Sequence, residues 1–402
     1  MGAAPVNLWV AVPTYWTHPA SAPGDELTAF DHPTPLDEEG TLGRTLESFT
    51  KLRGDFRVLV VAAAAHPDLG TAVHARVEKL LQPFAKRLKL LLASPVSLSA
   101  LNSALSVQLL KLDSYGNIRN VQLAVPYALG ADAVIGIDDD EVIKNADFLS
   151  YAARHVKAGV AGMAGPYFDS HGHWQIAGAE ELESEPNIFL KKNFFMNRAI
   201  GKAMKSAGPD GLAASNVAFG GNMVVSRKTI ARVCHDPYIP RGEDYDYVIN
   251  AAMNGIFWRF CPAMNIVHLP PDSTGSQAGD RTSKLIADIR RFIYMREKLR
   301  LHAELFPAEG FDLDYLMPYP GPYLTGDVDL PAEGIKALDS KYPEFRAGGG
   351  SPEKIVESAV EVARKKAVEF FDYRKRWHSV LKSTALGLDF RHAAEALSIG
   401  KF

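Results

Sequence analysis

The sequence predicts an α/β fold in which a mainly parallel sheet carries helices on both faces. Short apolar runs of strand length alternate with segments of helical periodicity, which is typical of that class. The runs are apolar at consecutive positions, as in parallel strands that are buried on both faces. The 402 residues suffice for such a domain at residues 1–280 and a mostly helical C-terminal extension at residues 281–402.

The first strand is predicted at Leu8–Val12 and ends where Pro13-Thr14-Tyr15 begins a long loop that reaches about Glu39. Strands are then predicted at Phe56–Ala64, Leu88–Ala93 and Ala133–Ile137. Helices are predicted at Thr41–Leu52, Thr71–Leu81, Val107–Leu112 and Asn120–Leu129. This alternation is what places helices on the faces of a parallel sheet.

After residue 140 the alternation continues less regularly. Helices are predicted at Asn145–Val156, Ser226–Val233 and from Arg241 to Met253, and strand-like runs at Val160–Tyr167, Ala218–Val225 and Ile256–Val267. Ile188–Met204 is interpreted as a basic helix or lid. In the extension, Ser283–Glu304 and a helix from Ser351 to about Thr384 flank a connector, Phe306–Gly350; the second helix has buried candidates at Ile355, Val356, Val360, Val368, Phe371 and Trp377.

The composition argues against several classes of function. A net charge of −3 without a basic run gives no basis for binding nucleic acid or a membrane surface. No stretch of about 18 apolar residues predicts a membrane span. The two cysteines, Cys234 and Cys261, fit no paired metal spacing, and the N-terminus has no signal-peptide pattern. We therefore expect a cytoplasmic protein, and a homo-oligomer is compatible with these features.

The most informative stretch is Asp138–Glu141, four acids that directly follow an apolar strand. Adjacent carboxylates repel one another, so the cluster costs stability unless a cation or solvent relieves it. Mg²⁺ and Mn²⁺ prefer carboxylate oxygens and often bridge to the phosphates of a ligand. The stretch therefore predicts a metal and diphosphate site, although a solvated turn with an Asp N-cap accounts for it equally well.

Three other short stretches stand out, and each also has a plain structural explanation. Gly220 and Gly221 interrupt a strand pattern, which indicates close approach of a ligand or a bulge. Glu243 and Asp244 open a helix, where the helix dipole alone stabilises acids. His268 ends an apolar strand, where a histidine is more often a core residue than a ligand.

Common nucleotide-binding motifs are missing from the sequence. No G-x-G-x-x-G follows the first strand, and no G-x-x-x-x-G-K-[ST] occurs anywhere. G-x-S-x-G is also absent, which leaves no elbow for a hydrolase serine. A phosphate ligand would therefore depend on a metal and on scattered donors.

Four patterns in order resemble the family 2 and related glycosyltransferases of the GT-A fold. They are Val12-Pro13-Thr14-Tyr15, Gly116-Asn117-Ile118-Arg119-Asn120, Ile137-Asp138-Asp139-Asp140, and Gly220-Gly221-Asn222-Met223 followed by Gly242-Glu243-Asp244. The third is similar to the D-x-D metal motif of the family, and the last to its acceptor loop and E-D motif. His268 matches a histidine that binds the metal in some members. The resemblance runs from Val10 to Pro271, and the last third resembles no family.

The resemblance implies roles for individual residues. Asp138 would contact the ribose or the metal, Asp140 would coordinate the metal, and His268 would be a further ligand. Asp244 would be the general base of an inverting reaction, and Glu243 would orient the acceptor. Arg119 would reach the pyrophosphate or the base loop. The donor-binding residues that it implies are Pro13, Thr14, Tyr15, Arg119, Asp138, Asp139, Gly220, Gly221 and Asn222.

The implied enzyme is a hexosyltransferase that needs Mn²⁺ or Mg²⁺ and moves a sugar from a UDP- or GDP-sugar to a small-molecule or glycan acceptor. It departs from the family where the second strand ends in Ala65-His66-Pro67-Asp68, without the usual Asp that reads the base. A retaining transferase on the same fold is an alternative. A sugar-phosphate nucleotidylyltransferase and a non-catalytic nucleotide-sugar-binding protein are further alternatives.

Overall fold

The computed structural model describes residues 5–20, 30, 33–270, 277–307, 309, 312–341, 343–382 and 387–400. Its strands are β1 (Leu8–Thr17), β2 (Thr34–Pro35), β3 (Phe56–Ala64), β4 (Lys89–Ala93), β5 (Ala133–Gly136), β6 (Glu141–Val142), β7 (Gly162–Ala164), β8 (Tyr167–Phe168), β9 (Ala213–Ala214), β10 (Met223–Ser226), β11 (Arg259–Phe260), β12 (Ile266–His268) and β13 (Ser398–Ile399). Its helices are α1 (Leu42–Phe49), α2 (Gly70–Leu81), α3 (Pro95–Leu105), α4 (Tyr115–Ala128), α5 (Phe148–Lys157), α6 (Lys192–Lys205), α7 (Arg227–Ile230), α8 (Glu243–Ala252), α9 (Gln277–Leu305), α10 (Gly321–Leu324), α11 (Leu330–Lys341), α12 (Pro343–Ala347), α13 (Pro352–Lys382) and α14 (Leu388–Glu395).

The main sheet has the strand order β13-β4-β3-β1-β5-β10-β7-β11-β9, and β2 pairs with the end of β1. Strands β4, β3, β1 and β5 are parallel neighbours, whereas β10 runs antiparallel between β5 and β7. A smaller sheet joins β6, β12 and β8. The predicted α/β class with a mainly parallel sheet is therefore confirmed, with antiparallel strands at β9, β10 and β13.

Alternate side chains of the central strands enter two separate cores, because successive residues of a strand point to opposite faces. Trp9 and Leu59 lie in one core, which α3, α4, α8, α9 and α13 cover. Val10 and Val60 lie in the other, which α1, α2 and α5 cover. Helices on both faces, as the sequence predicts, therefore bury the sheet.

The order in which the chain builds the sheet determines where a ligand can bind. From β1 the chain proceeds outward through β3 to β4, with α1 and α2 on one face. It then returns past β1 to β5, with α3 and α4 on the other face, as right-handed crossovers require when the direction reverses. Open α/β sheets bind ligands at the carboxyl ends of strands where the order reverses. Here that point lies between β1 and β5, and Asp138–Glu141 follow β5 directly.

Strand β1 is longer than the sequence predicts. The prediction ends before Pro13 because proline cannot donate to the ladder, yet β1 pairs with β3 as far as Trp16 and Ala64. The carbonyl of Ala11 accepts a hydrogen bond from the backbone N–H of Ile137, so Ala11 faces β5. The backbone groups of Pro13, two residues after Ala11, point to the same side of β1 as those of Ala11. The pairing of β1 with β5 ends at Ala11 and Gly136, so the nitrogen of Pro13 points beyond the end of β5 and no hydrogen bond of the ladder is lost.

The predicted helix Val107–Leu112 is wrong. The helix before this segment, α3, was not predicted; it ends at Leu105, and its C-cap residue Ser106 has a φ of 57°. The side-chain oxygen of Asn102 then accepts hydrogen bonds from the backbone N–H groups of Leu109 and Leu110. A local side chain thus satisfies the backbone groups that a helix would have paired.

In the extension, the predicted connector Phe306–Gly350 contains α10, α11 and α12. Its high content of Pro, Gly and acidic residues made helices hard to predict there, but α11 has an apolar face at Leu330 and Leu338, both of which are buried. The long helix α13 is close to the predicted one, but Val368 is 51% exposed rather than buried. The buried face of α13 instead includes Phe371 and the alanines of its first half.

The helices from α9 onward pack against the main sheet and the helices that cover it. Side chains of α9, α13 and α14 share the core that contains Trp9. At the end of the extension, Ser398 and Ile399 in β13 pair antiparallel with Leu91 and Leu90, which adds an edge strand to the main sheet. None of the helices within the described ranges is long and apolar enough to cross a membrane. The two cysteines are buried and free.

A buried cation joins α9 to the rest of the fold. The Nζ atom of Lys298, which is 0% exposed, lies 3.0 Å from Oδ2 of Asp236 and also contacts Oδ1 of Asp246. It donates to Asn250, and the hydroxyl of Tyr294 donates to Asp236. Burial alone would lower the pKa of Lys298, but the two carboxylates outweigh it and raise the pKa. The network ties α9 to α8.

Replacing Lys298 with methionine should destabilise the protein by about 3–5 kcal/mol, because two carboxylates would stay buried without a cation. Chemical denaturation measures the free energy of unfolding. Lys365→Met, at an exposed position of α13, is the matched control and should leave stability nearly unchanged. A loss below about 1 kcal/mol for Lys298→Met would contradict the structural role of the network.

Candidate active site

The acidic stretch after β5 forms a tight turn that leads into β6. The hydroxyl of Thr45 on α1 lies 2.7 Å from the carbonyl oxygens of both Asp139 and Glu141, and these contacts anchor the turn to α1. The backbone N–H of Asp138 donates to the side chain of Glu141 over 2.8 Å. The turn is therefore held through its backbone, and the side chains of Asp138 and Asp140 remain available for contacts outside it.

Arg119 on α4 connects the acidic turn with the start of α8. Its Nη2 atom donates to Oδ1 of Asp138 over 2.7 Å, and its Nε atom donates to Oε1 of Glu243 over 3.2 Å. Arg119 is only 6% exposed, and burial opposes its charge, but the two carboxylates raise its pKa well above the usual value. Two of the sequence motifs, far apart in the chain, are therefore joined by one guanidinium.

Asp140 and His268 form a second pair at the same edge of the sheet. The Nε2 atom of His268 lies 3.1 Å from Oδ2 of Asp140, and the two side chains are 41% and 21% exposed. The pairing of β12 with β6 brings them together, since His268 stands opposite Glu141 in the ladder. Burial lowers the pKa of His268, but the hydrogen bond to Asp140 outweighs it, so that the pKa is raised.

The Asp140–His268 pair fits part of a divalent metal site. Carboxylate and imidazole are both ligands that Mn²⁺ accepts, and a cation could replace the proton between them. Among the described residues, no group of three His, Cys, Asp or Glu side chains is placed to hold a metal alone. Mg²⁺ sites commonly use one or two carboxylates and take the remaining oxygens from substrate phosphates and water. The pair therefore fits a metal that a diphosphate ligand completes.

The other acids of the turn also favour a cation nearby. Burial raises the pKa of Asp138, and it raises the pKa of Asp139 to about 7, with further increases from the neighbouring carboxylates. Glu141 is fully buried, and burial raises its pKa well above the usual value. Placing so many acids in one turn costs stability unless positive charge offsets them. Within the turn, Arg119 contacts only Asp138.

Asp244 lies in the first turn of α8, next to Glu243. Its Oδ2 atom accepts a hydrogen bond from the backbone N–H of Gly220 over 3.2 Å, and its Oδ1 atom accepts one from Tyr245 over 2.7 Å. Burial, followed by the charge of Glu243, raises the pKa of Asp244 to about 6. A carboxylate that titrates close to neutral pH is suited to accept a proton in catalysis.

The Gly220-Gly221 turn lets three elements meet. A side chain at Gly221 would place its Cβ 2.1 Å from Oε2 of Glu141, so that only glycine fits over this buried carboxylate. The backbone N–H of Gly221 donates to the hydroxyl of Tyr167 over 2.7 Å. The ring of Tyr167 stacks on Phe219 at 4.5 Å. The close approach that the glycines predict is therefore to the protein's own acid.

The remaining predicted residues fall into two groups. Pro13 and Thr14 are buried in β1, whereas Tyr15 is half-buried and packs against Phe30 at 4.8 Å and Tyr115 at 5.3 Å. Asn222 is fully buried, and its side chain donates to the backbone carbonyls of Pro166 and Met264 rather than facing the acidic turn. Asp139, by contrast, lies in the turn itself and contacts the fold through its backbone carbonyl.

Sequence reasoning missed Glu141 and Tyr167 as parts of the site, and Arg291 of α9, which contacts the start of α8. Glu141 was visible only as the fourth acid of a run. Its burial follows from pairing between β6 and β12, residues more than a hundred positions apart. Arg291 lies in a helix with many other arginines, and no local pattern distinguishes it.

Comparison with known proteins yields structural similarities only. No protein-family model matches the chain, and no curated protein matches it. Among solved structures, the mannosyltransferase PcManGT from Pyrobaculum calidifontis, in complex with GDP-Man and Mn²⁺, is similar over 98% of this chain and 88% of its own, with 13% identity and a TM-score of 0.44. Residues 1–349 of S. aureus TarS in complex with UDP-GlcNAc are similar over 93% and 91%, with 13% identity and a TM-score of 0.40.

A mycobacterial protein is also similar, over 71% of this chain and 74% of its own, with 14% identity and a TM-score of 0.38. With TM-scores of 0.44 or less, these similarities carry no argument about function. The function must therefore be inferred from the residues of this chain. Glycosyltransferases are among the solved structures that this chain resembles.

Proposed function

We propose that this protein is a metal-dependent glycosyltransferase that moves a sugar from a nucleotide diphosphate sugar, a UDP- or GDP-sugar, to an acceptor hydroxyl with inversion. One observation carries the proposal. Arg119 joins Asp138, beside the Asp140–His268 pair, to Glu243, beside Asp244. A pair suited to a metal and a carboxylate suited to act as a base thus belong to one connected site, at the reversal of strand order.

The donor would bind at the carboxyl ends of β1 and β5. Asp140 and His268 would hold the metal, and the metal would offset the charge of the diphosphate leaving group as a Lewis acid. Asp138, held by Arg119, would contact the ribose or the metal. Tyr15, which is half-buried near the carboxyl end of β1, would line the nucleotide pocket.

The acceptor would be activated at the start of α8. Asp244 would take the proton from the attacking hydroxyl, because its raised pKa matches it to that transfer near neutral pH. The N–H of Gly220 orients the Asp244 carboxylate, so that the oxygens are fixed before the acceptor arrives. Glu243 would orient the acceptor while its Arg119 partner holds it in place.

The alternatives differ in measurable ways. A retaining transferase would use the same metal pair and make the opposite anomer, which NMR of the product identifies. A nucleotidylyltransferase would release diphosphate from a nucleoside triphosphate. A non-catalytic binding protein would bind the donor without cleaving it. The inverting assignment is supported by the position of Asp244, whose carboxylate is held by the N–H of Gly220 beside Glu243 and therefore close to the Arg119 link to the metal pair.

The direct test is a thermal-shift panel with UDP, GDP, their sugars and the matching monophosphates, each with Mn²⁺ or with EDTA. We expect one diphosphate series to raise the melting temperature only with the metal, since a ligand at 100 times its Kd adds about 2.7 kcal/mol of stability. The monophosphates control for binding through the base and ribose alone. Equal shifts with EDTA, or none for any diphosphate, would rule out the proposed donor site.

A further inference from the structure

The C-terminal extension contacts the first turn of α8, which contains Asp244. The contacts come from one buried stripe of α9, where Asp288, Arg291 and Lys298 are 5%, 5% and 0% exposed. Residues three and seven positions apart lie on the same face of a helix, and from this face Arg291 and Lys298 contact α8, whereas Asp288 pairs with Arg291 and with Lys192 of α6.

Arg291 holds the residue that begins α8. Gly242 is the N-cap of α8 and has φ of +70°, a conformation that favours glycine. A Cβ atom built on Gly242 would lie 2.0 Å from Nη1 of Arg291, so the guanidinium packs directly on the backbone there. The left-handed backbone therefore favours glycine at this position, and any larger residue would also displace the guanidinium of Arg291.

The guanidinium of Arg291 is itself fixed on both sides. Its Nη2 atom donates to the hydroxyl of Tyr319 over 2.8 Å, and its Nε atom lies 3.0 Å from Oδ1 of Asp288. Asp288 also pairs with Lys192 of α6. The Tyr319 ring packs edge-on against Tyr245 at 4.8 Å. The extension therefore contacts Gly242 through the guanidinium of Arg291, and it contacts Tyr245 through the ring of Tyr319.

The third contact lies one residue further along α8. Lys298, two turns after Arg291 on α9, contacts the carboxylate of Asp246. Gly242, Tyr245 and Asp246 are therefore each held by the extension. Asp244 lies between them, and its own carboxylate accepts from the backbone of Gly220 instead. The direction in which Asp244 points is set by contacts on either side of it.

We propose that Arg291 and Tyr319 are positioning residues for the general base Asp244, so that the extension completes the catalytic centre. The inference rests on the proposed function for its catalytic part, while the anchoring of α8 stands on the contacts alone. It adds to the site two residues from a segment that the family resemblance does not cover.

The charges around Asp244 give the inference a signature that simple stabilisation lacks. Burial and then the charge of Glu243 on α8 raise the pKa of Asp244, whereas the N–H of Tyr245, Arg291 on α9 and Arg119 on α4 lower it. Arg291 in turn faces Asp288 and Tyr319. Loss of the Arg291 cation should therefore move the acidic limb of the transfer rate to higher pH.

The experiment compares Arg291→Gln, Arg291→Lys and Tyr319→Phe in the full chain, with Arg290→Gln as the matched control at the exposed neighbouring position. For Arg291→Gln we expect kcat of transfer to fall roughly 10–100-fold, with the KM for donor unchanged and the acidic limb at higher pH. Amide hydrogen exchange over residues 240–248 should increase. Arg291→Lys should restore the pH limb but not kcat, because an ammonium lacks the planar fork.

Tyr319→Phe removes one hydroxyl and keeps every charge, so it tests the contact even if Arg291→Gln folds poorly; its kcat should fall while its pH limb stays in place. Exchange over residues 240–248 equal to that of Arg290→Gln would overturn the inference whatever the activity. Unchanged kcat and pH limb in Arg291→Gln would overturn it too. If the unaltered protein cleaves no nucleotide sugar while exchange still rises in Arg291→Gln, the proposed function fails and the anchoring of α8 remains.

Discussion

Replacing Asp244 with asparagine is expected to reduce sugar transfer by about 10²–10⁴-fold, the usual cost of losing a general base. The amide keeps the shape of the side chain and can still accept from the N–H of Gly220, but it cannot take a proton from the acceptor. Donor binding should remain, because Asp140 and His268 are untouched. Steady-state kinetics of transfer, with donor binding followed by calorimetry, measures both effects.

The control must separate catalysis from helix stability, because Asp244 is also an acid in a first helical turn. Asp389 occupies the same kind of position in α14 and is exposed. Asp389→Asn should lose the dipole interaction of its helix and leave transfer unaffected. Near-normal turnover in Asp244→Asn would show that another group removes the acceptor proton.

The pH dependence of the unaltered protein follows from the same residue. A general base works only when deprotonated, so transfer should decline as the pH falls below about 6, the raised pKa of Asp244. Burial and the charge of Glu243 set that value. Asp244→Asn should lose this acidic limb together with its rate. Measuring kcat from pH 5 to pH 8 in both proteins checks the assignment.

The second large effect is expected for Asp140→Asn, which should abolish the metal-dependent part of nucleotide binding. The amide is a weaker ligand for Mg²⁺ and Mn²⁺ than a carboxylate, and His268 would lose its charged partner. Loss of residues that merely support metal ligands already costs about 10–100-fold in affinity, so loss of a ligand should cost at least that. Calorimetric titration of Mn²⁺ with the diphosphate measures the change.

Asp138→Asn is the informative comparison, because Asp138 is already engaged by Arg119. If Asp138 contacts the ribose, its loss should weaken nucleotide binding equally with Mn²⁺ and with EDTA. If it binds the metal, only the metal-dependent binding should fall. Metal-dependent binding that survives in Asp140→Asn would remove Asp140 from the proposed metal site.

Most of the fold could be predicted from the sequence because buried parallel strands are nearly continuous apolar runs. Phe56–Ala64 was predicted with its observed bounds, and Ala133–Ile137 differs from β5 by one residue. The failures have causes that the periodicity of the sequence does not reveal. Pro13 ended the first strand too early, since its tolerance depends on where β5 stops. The connector Phe306–Gly350 concealed helices because its Pro and Gly content outweighed a few apolar residues.

The candidate site was likewise predicted only in part. Asp138, Asp140, Asp244 and His268 lie within short motifs, and the structure brings Asp140 next to His268 as an adjacent pair. The contacts that link the motifs are not local, since Arg119 and Glu243 are 124 positions apart. The burial of Glu141 under Gly221 depends likewise on how distant segments fold together. A sequence pattern can therefore nominate the acids and Arg119, but it does not show which of these residues contact one another.

The short strand β13 has a practical consequence for handling this protein. Its two residues cover the outer backbone of Leu90 and Leu91 in β4. An uncovered strand edge is a template for pairing with other chains. Shortened versions that stop before Ser398 would leave that edge of β4 open to pairing with other chains, so their aggregation should not be mistaken for failure of the main sheet to form.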